Sequence, residues 1–209
     1  MLEKIKILNK GYRFKPIKTE RLLLIKPNLN YTDEYISILE DKRMWRYESL
    51  APKPLNKRNI SRFIKKRIID WKKRCGFSFF IIYNSKLIGS VATNWVYPSS
   101  KKTEISYNIA YPFWNKGFGT EAISAYIEWI YLNTHINRIE ANFAVSNIGS
   151  KKILLKNNFK KEGVKKDATI HNHKTYDSHC YALLRKDWTM KKRKRSKKSY
   201  VSEDTKQRL

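Results

Sequence analysis

The residue types and spacing with the most chemical content lie between Tyr111 and Thr120, in the run YPFWNKGFGT. An apolar strand pattern ends there, Gly117 and Gly119 follow, and an amphipathic helix pattern begins. Glycine has no Cβ, so the backbone can turn sharply and approach a ligand closely. The first N–H groups of a helix have no partner inside it, and the helix dipole turns its positive end towards them. Together these features make an anion site, to which Lys116 adds a charge. The spacing is neither the dinucleotide G-x-G-x-x-G nor a P-loop, and no acid stands at the ribose-binding distance. Asn147 precedes a second helical pattern and fits an N-cap. His171 and His173 form H-x-H without an acidic third ligand, which is poor zinc chemistry, and no metal is expected. Cys75 and Cys180 stand far apart, outside metal or redox spacing, so neither a disulfide framework nor a cysteine nucleophile is expected.

The elements that must position this segment are legible as periodicities. Thr19 to Lys26 reads as an opening strand. Thr32 to Glu40 reads as a short helix with Thr32 as N-cap. Asn56 to Arg74 reads as a longer helix with Ile60, Phe63, Ile64, Ile68 and Trp71 on one face, stopped by Gly76. Phe77 to Tyr83 and Lys86 to Val96 read as a hairpin turning at Asn84-Ser85. Thr103 to Ala110 is a strand, Phe118 to Leu132 a helix, Asn137 to Val145 a strand and Ile148 to Asn157 a helix, with Asn158 or Gly163 ending that segment. Tyr176 to Leu184 is the last strand. Consecutive strands followed by alternating helices predict an α+β fold with a central mixed, twisted sheet flanked by helices. Trp45, Trp71, Trp95, Trp129 and Trp188 are expected in the core, and Cys180 inside the last strand.

Composition bounds the answer. The chain has 209 residues, 41% hydrophobic and 13% aromatic, enough for one packed domain and against wholesale disorder. No apolar stretch is long enough to span a bilayer, and the N-terminus shows no secretory pattern, so a cytoplasmic protein is expected. Lys and Arg number 45 against 18 acids, a net of +27. The last residues carry KKRKRSKK, Lys191 to Lys198, which cannot bury anything and reads as a flexible tail. The body is basic as well. Such charge attracts nucleic acid, an anionic surface or an acidic substrate, and it also fits a merely solvated, lysine-rich surface. The boundaries drawn are an N-terminal extension over 1–16, a domain over 17–188 and a basic tail over 189–209.

The ordered set Trp114-Asn115-Lys116-Gly117-Phe118-Gly119-Thr120, Asn147-Ile148-Gly149-Ser150 and Asn158-Phe159-Lys160-Lys161-Glu162-Gly163 resembles the GCN5-related N-acetyltransferases (GNAT). With Thr19-Glu20-Arg21-Leu22 and the strand Tyr176–Leu184, it is most similar to their RimJ/RimL-like branch. The resemblance covers Ile17 to Trp188 and implies a three-layer GNAT fold using acetyl-CoA. It implies that Trp114, Asn115, Lys116, Gly117, Phe118, Gly119 and Thr120 bind the pyrophosphate through backbone amides. It further implies that the backbone near Ile109 pairs with the pantetheine arm, and that Asn147 hydrogen-bonds that arm. Trp114 and Asn115 depart from the general pattern, although Asn tolerates a left-handed backbone. The resemblance implies Glu104 as the general base and Ser150 as the acid, and the tyrosine that other members use falls on Leu154; apart from the resemblance, Asp167 and Asp177 are reserve bases, of which Asp177 better fits a residue that fixes a loop or a backbone amide. The implied acceptor is a protein N-terminal α-amine, as on a ribosomal protein. Alternatives are a small-molecule amine, such as a polyamine or antibiotic, or a non-catalytic module binding RNA or an anionic surface through the tail. The acceptor half is expected from Tyr31 to Arg74 and Ala168 to Asp177, in a monomer or dimer.

Overall fold

The computed structural model describes residues 7–45, 52–171 and 174–189. The tail and His173 lie outside these. One eight-stranded sheet runs in the order β1-β2-β3-β4-β5-β6-β8-β7. Its strands are β1 (Ile17–Lys18), β2 (Leu23–Ile25), β3 (Ser78–Tyr83), β4 (Lys86–Tyr97), β5 (Lys102–Ile109), β6 (Arg138–Ala144), β7 (Lys160–His171) and β8 (Lys174–Leu184). Neighbours pair antiparallel except β5 and β6, which run parallel. A parallel pair needs a crossover, and α4 (Phe118–Asn133) supplies it.

Strand alternation sorts the core into two layers. Phe79 and Ile81 of β3 face one side, with Ile88, Val91, Ile105, Ile109 and the buried face of α4. Phe80 and Ile82 face the other, with Tyr35, Ile38 and Leu39 of α1 (Thr32–Glu40) and Ile60 and Ile64 of α3 (Lys57–Lys73). Between these helices lies the four-residue α2 (Lys42–Trp45), which periodicity does not reveal. On the α4 side, α5 (Ile148–Lys156) adds Leu154. The result is helices, sheet, helices.

Several local expectations need correcting. The stretch from Thr19 is not one strand. Thr19 closes a tight turn by accepting the Leu22 amide at 2.8 Å, and β1 and β2 pair across it. Thr32 does not cap α1: its hydroxyl donates back to the Leu29 carbonyl, and Tyr31 occupies the cap position. Asn56 does cap α3 through the Asn59 amide, but Arg74, left-handed at φ 57°, ends that helix before Gly76. Gly163 ends nothing. It lies within β7, an edge strand whose lysine-rich sequence hides its period, as charged edges do. Asn158, at φ 64°, follows α5.

The boundary at 17 also divides the core. Ile7 and Leu8 are buried, and the Asn9 amide donates to the Asn133 carbonyl. At the other end, the Arg185 guanidinium donates to the carbonyls of Tyr131, Thr134 and Ile136, closing the end of α4 where carbonyls lack partners. Trp71 and Trp129 form an aromatic nest with Phe77 and Phe79. Trp95 is not core: it is 62% exposed on β4. Among the described residues no helix is long and apolar enough to cross a membrane.

Candidate active site

β5 and β6 pair only from Lys102 to Glu104 against Arg138 to Glu140, although β5 continues to Ile109 and β6 to Ala144. The strands part there, and a cavity of ≈1030 Å³ fills the wedge. Its lining includes Glu104, Ile109, Trp114, Asn115, Gly117, Gly119, Thr120, Asn147 and Ser150 from the sequence reading. Lys116 and Phe118 do not line it. The Lys116 ammonium lies 6.0 Å from the Phe113 ring, and Phe118 is buried in the core. Asp167 and Asp177 also stay outside the lining. Asp177 instead accepts from Lys166 at 2.8 Å and from the Asp167 amide, and the lysine bond holds its carboxyl below the ordinary range.

The turn after β5 is built from two left-handed residues, Asn115 at φ 58° and Gly117 at φ 83°. It delivers the chain into α4 with Gly117 as N-cap and no side-chain cap bond. Among the described residues, no N–H from Asn115 to Thr120 donates to a protein acceptor. A Cβ on Gly119 would come within 2.7 Å of Ile153 Cδ1, so the close packing of α4 on α5 favours glycine there. The bare amides and the helix's positive end face the cavity, as an anion requires.

Alternation along β5 separates two chemistries. Glu104 lies on the face of Ser106 and Asn108, and its carboxylate accepts from Asn142 Nδ2 at 2.9 Å. Asn108 Nδ2 reaches the Tyr35 hydroxyl at 3.4 Å, which places that face towards α1 and α3. Tyr107 points the other way, towards α5, with its hydroxyl 2.7 Å from Ser150 Oγ. Ser150 is buried in the first turn of α5, where Asn147 Oδ1 accepts its amide at 2.9 Å. Burial pushes the Tyr107 phenol well above its ordinary pKa, against the opposing bond with Ser150. The phenol therefore stays a neutral hydroxyl, and either member of the pair can donate to the other.

A family model described as an acetyltransferase (GNAT) domain matches residues 21–160. The chain belongs to the GNAT acetyltransferases. It is 26% identical over 172 residues to an uncharacterized N-acetyltransferase p20 of Bacillus licheniformis, covering 81% of this chain and 96% of that one. It is 34% identical over 85 residues to the ribosomal protein uS5 alanine N-acetyltransferase of Escherichia coli, covering 41% and 44%. The crystal structure of the microcin C7 self immunity acetyltransferase MccE, in complex with acetyl-CoA and AMP, superposes with a TM-score of 0.73 at 26% identity over 79% and 93% of the chains. RimL, a ribosomal L7/L12 alpha-N-protein acetyltransferase in complex with coenzyme A, superposes with a TM-score of 0.76 at 18% identity over 81% and 98% of the chains, a likeness of fold. It is an acetyl-CoA-dependent N-acetyltransferase.

This GNAT acetyltransferase has residues that fit acetyl-CoA: unpartnered amides at the turn suit a diphosphate, and the wedge suits an extended arm. One edge group is occupied from within, since the Ile109 carbonyl accepts Trp114 Nε1 at 2.5 Å. Asn147 uses its oxygen as N-cap, which leaves its amide nitrogen as the group able to meet the arm. Among the described residues no cluster could hold a metal ion.

Two residues that contact the candidate site escaped the sequence reading. Tyr107 carries no motif. Arg21 sits inside the quoted Thr19–Leu22 run, yet only the fold reveals its task. Its guanidinium pairs with Glu121 in the first turn of α4 at 2.7 Å, donates to the Lys116 carbonyl at 3.0 Å and lies 4.4 Å over Phe118. Thr19 Oγ1 donates to the same carboxylate at 2.6 Å. The clamp ties the turn to the start of α4 and offsets an acid beside the bare amides. We expect Arg21→Ala to weaken acetyl-CoA binding roughly fivefold, about 1 kcal/mol, by calorimetry.

The same pair gives a pH dependence. Burial acts to raise the Glu121 pKa, but the bonds from Thr19 and Arg21 prevail and lower it. A depressed folded pKa contributes stability above the unfolded value and loses it as pH falls through the folded one. Arg21 is well exposed, so the contribution should be no more than about 1 kcal/mol. Thermal unfolding of wild type and Glu121→Gln should therefore differ at neutral pH and converge as pH falls below the ordinary glutamate range and through the depressed folded value.

Proposed function

We propose that this enzyme acetylates a protein N-terminal α-amine, with a ribosomal protein as the acceptor class. The observation that carries this reading is the division of the wedge by β5. One side presents bare amides and the Tyr107–Ser150 pair. The other presents Glu104 as the single carboxylate among the cavity's described lining residues. A polyamine carries several positive charges and calls for several carboxylates, so one acid favours an acceptor with one amine. The likeness to the Escherichia coli enzyme acting on a ribosomal protein alanine supports the same class.

Acetyl-CoA supplies the activated acetyl group. Glu104 takes the proton that the acceptor amine must lose as the new N–C bond forms. Ser150, held by Asn147 and backed by the Tyr107 hydroxyl, donates towards the sulfur as the C–S bond breaks. The net result is one proton moved from amine to thiol. The deciding experiment is mass spectrometry of N-terminal peptides, lysine peptides and polyamines after incubation with labelled acetyl-CoA. Label on the α-amine supports the reading; label on polyamines or lysine side chains alone refutes it.

We place the enzyme in the cytoplasm, with the Lys191–Lys198 run touching ribosomal RNA. Truncation after Thr189 is then expected to leave acetyl-CoA affinity unchanged and to weaken ribosome co-sedimentation at low salt. A loss of acetyl-CoA affinity would show that the tail belongs to the domain.

A further inference from the structure

The α1 and α3 side of the wedge contains a guanidinium with no counter-charge among the described residues. Arg67 projects from α3, lines the same cavity as Glu104 and lies 4.9 Å over the Phe63 ring. Its one hydrogen bond among the described residues runs from Nη1 to the Thr93 carbonyl, at 3.4 Å. Other half-buried arginines are provided for: Arg138 pairs with Glu140 and Glu162, and Arg185 is saturated by carbonyls. Arg67 has no ion-pair partner among the described residues and leaves most of its five donors unused. A partly desolvated cation in that state favours an incoming anion, and a planar fork suits a carboxylate.

Position limits what that anion can be. Thr93, which Arg67 touches, is the cross-strand partner of Ile105, the residue next to Glu104. One strand spacing of about 5 Å and one residue rise of about 3.3 Å separate these backbone positions. An α-amine and the side-chain carboxylate of the following residue lie roughly 7 Å apart in an extended peptide. The floor between is neutral and polar, with Ser106 donating to Asn94 at 2.6 Å. The backbone positions beside which the two charged groups stand are thus spaced on the scale of a dipeptide.

We propose that Arg67 reads a carboxylate on the acceptor, so that the enzyme selects α-amines followed by Asp or Glu at the second residue. This rests on the N-terminal acetylation reading above. The test uses the full chain and three peptides that begin Ala-Asp, Ala-Asn and Ala-Lys and are otherwise identical. Wild type should show kcat/KM higher for Ala-Asp than for Ala-Asn by about tenfold, with Ala-Lys lowest. The preference should shrink as salt rises. Arg67→Lys should keep the order, and Arg67→Glu should abolish or reverse it, with acetyl-CoA affinity as the check on folding. If Arg67→Glu does not fold, the wild-type and Arg67→Lys rankings decide alone. Equal kcat/KM for the three peptides, or an Ala-Asp preference surviving in folded Arg67→Glu, overturns the role of Arg67 and leaves N-terminal acetylation standing. Failure to acetylate any α-amine, with acetyl-CoA still bound, overturns both.

Discussion

Replacing Gly117 with aspartate should weaken acetyl-CoA binding about a hundredfold, because a carboxylate roughly 6 Å from a phosphate at an effective dielectric of about 20 costs about 2.8 kcal/mol. Gly117 stands at φ 83° as the N-cap of α4, beside amides that no protein group among the described residues satisfies. Aspartate tolerates the left-handed region at a cost of about 1 kcal/mol, so the fold should survive. The new side chain would also begin 3.3 Å from Arg21 Nη2 and compete with Glu121 for it. Gly117→Ala separates the two effects, since it adds the strain without the charge and should cost less than tenfold. Calorimetry with acetyl-CoA measures both variants, and unfolding without ligand checks the fold. Undiminished affinity in folded Gly117→Asp would remove the diphosphate from this turn.

Glu104→Gln should lower kcat by about a hundredfold or more, the usual scale for losing a general base, with acetyl-CoA affinity unchanged. Glutamine keeps the shape and can still accept from Asn142, so packing and position are retained while basicity is lost. The other side of β5 should respond differently. Ser150→Ala removes the hydroxyl nearest the expected sulfur and should cost more than Tyr107→Phe, which leaves Ser150 in place. If Tyr107 donates to the sulfur itself, that order is inverted. Single-turnover measurements with a peptide acceptor separate these steps from product release. A Glu104→Gln enzyme as fast as wild type would leave the amine to lose its proton to water.

The sequence was most informative where short-range chemistry decides the outcome. The span of α3, its Asn56 cap and the Asn84-Ser85 turn, at φ 46° and 61°, follow from local periodicity and turn propensity. The glycine turn was legible for the same reason, since neighbouring residues make both the bend and the unpaired amides. β7 was unreadable because an edge strand needs no apolar face, and its lysines obey solvent rather than the core. Trp95 misled because composition says that tryptophans bury, whereas its place beside Glu104 leaves it open.

The amino-acid order alone thus determined the glycine turn, the helices that flank it and, by resemblance, the family. Only the tertiary structure decided which side chains work together. Arg21 meets Glu121 across a hundred residues of chain, and Tyr107 meets Ser150 across the wedge. The wedge itself arises because β5 and β6 pair for three residues and then diverge. Such meetings depend on how strands twist and where a crossover helix returns the chain, and no local window of sequence carries that information.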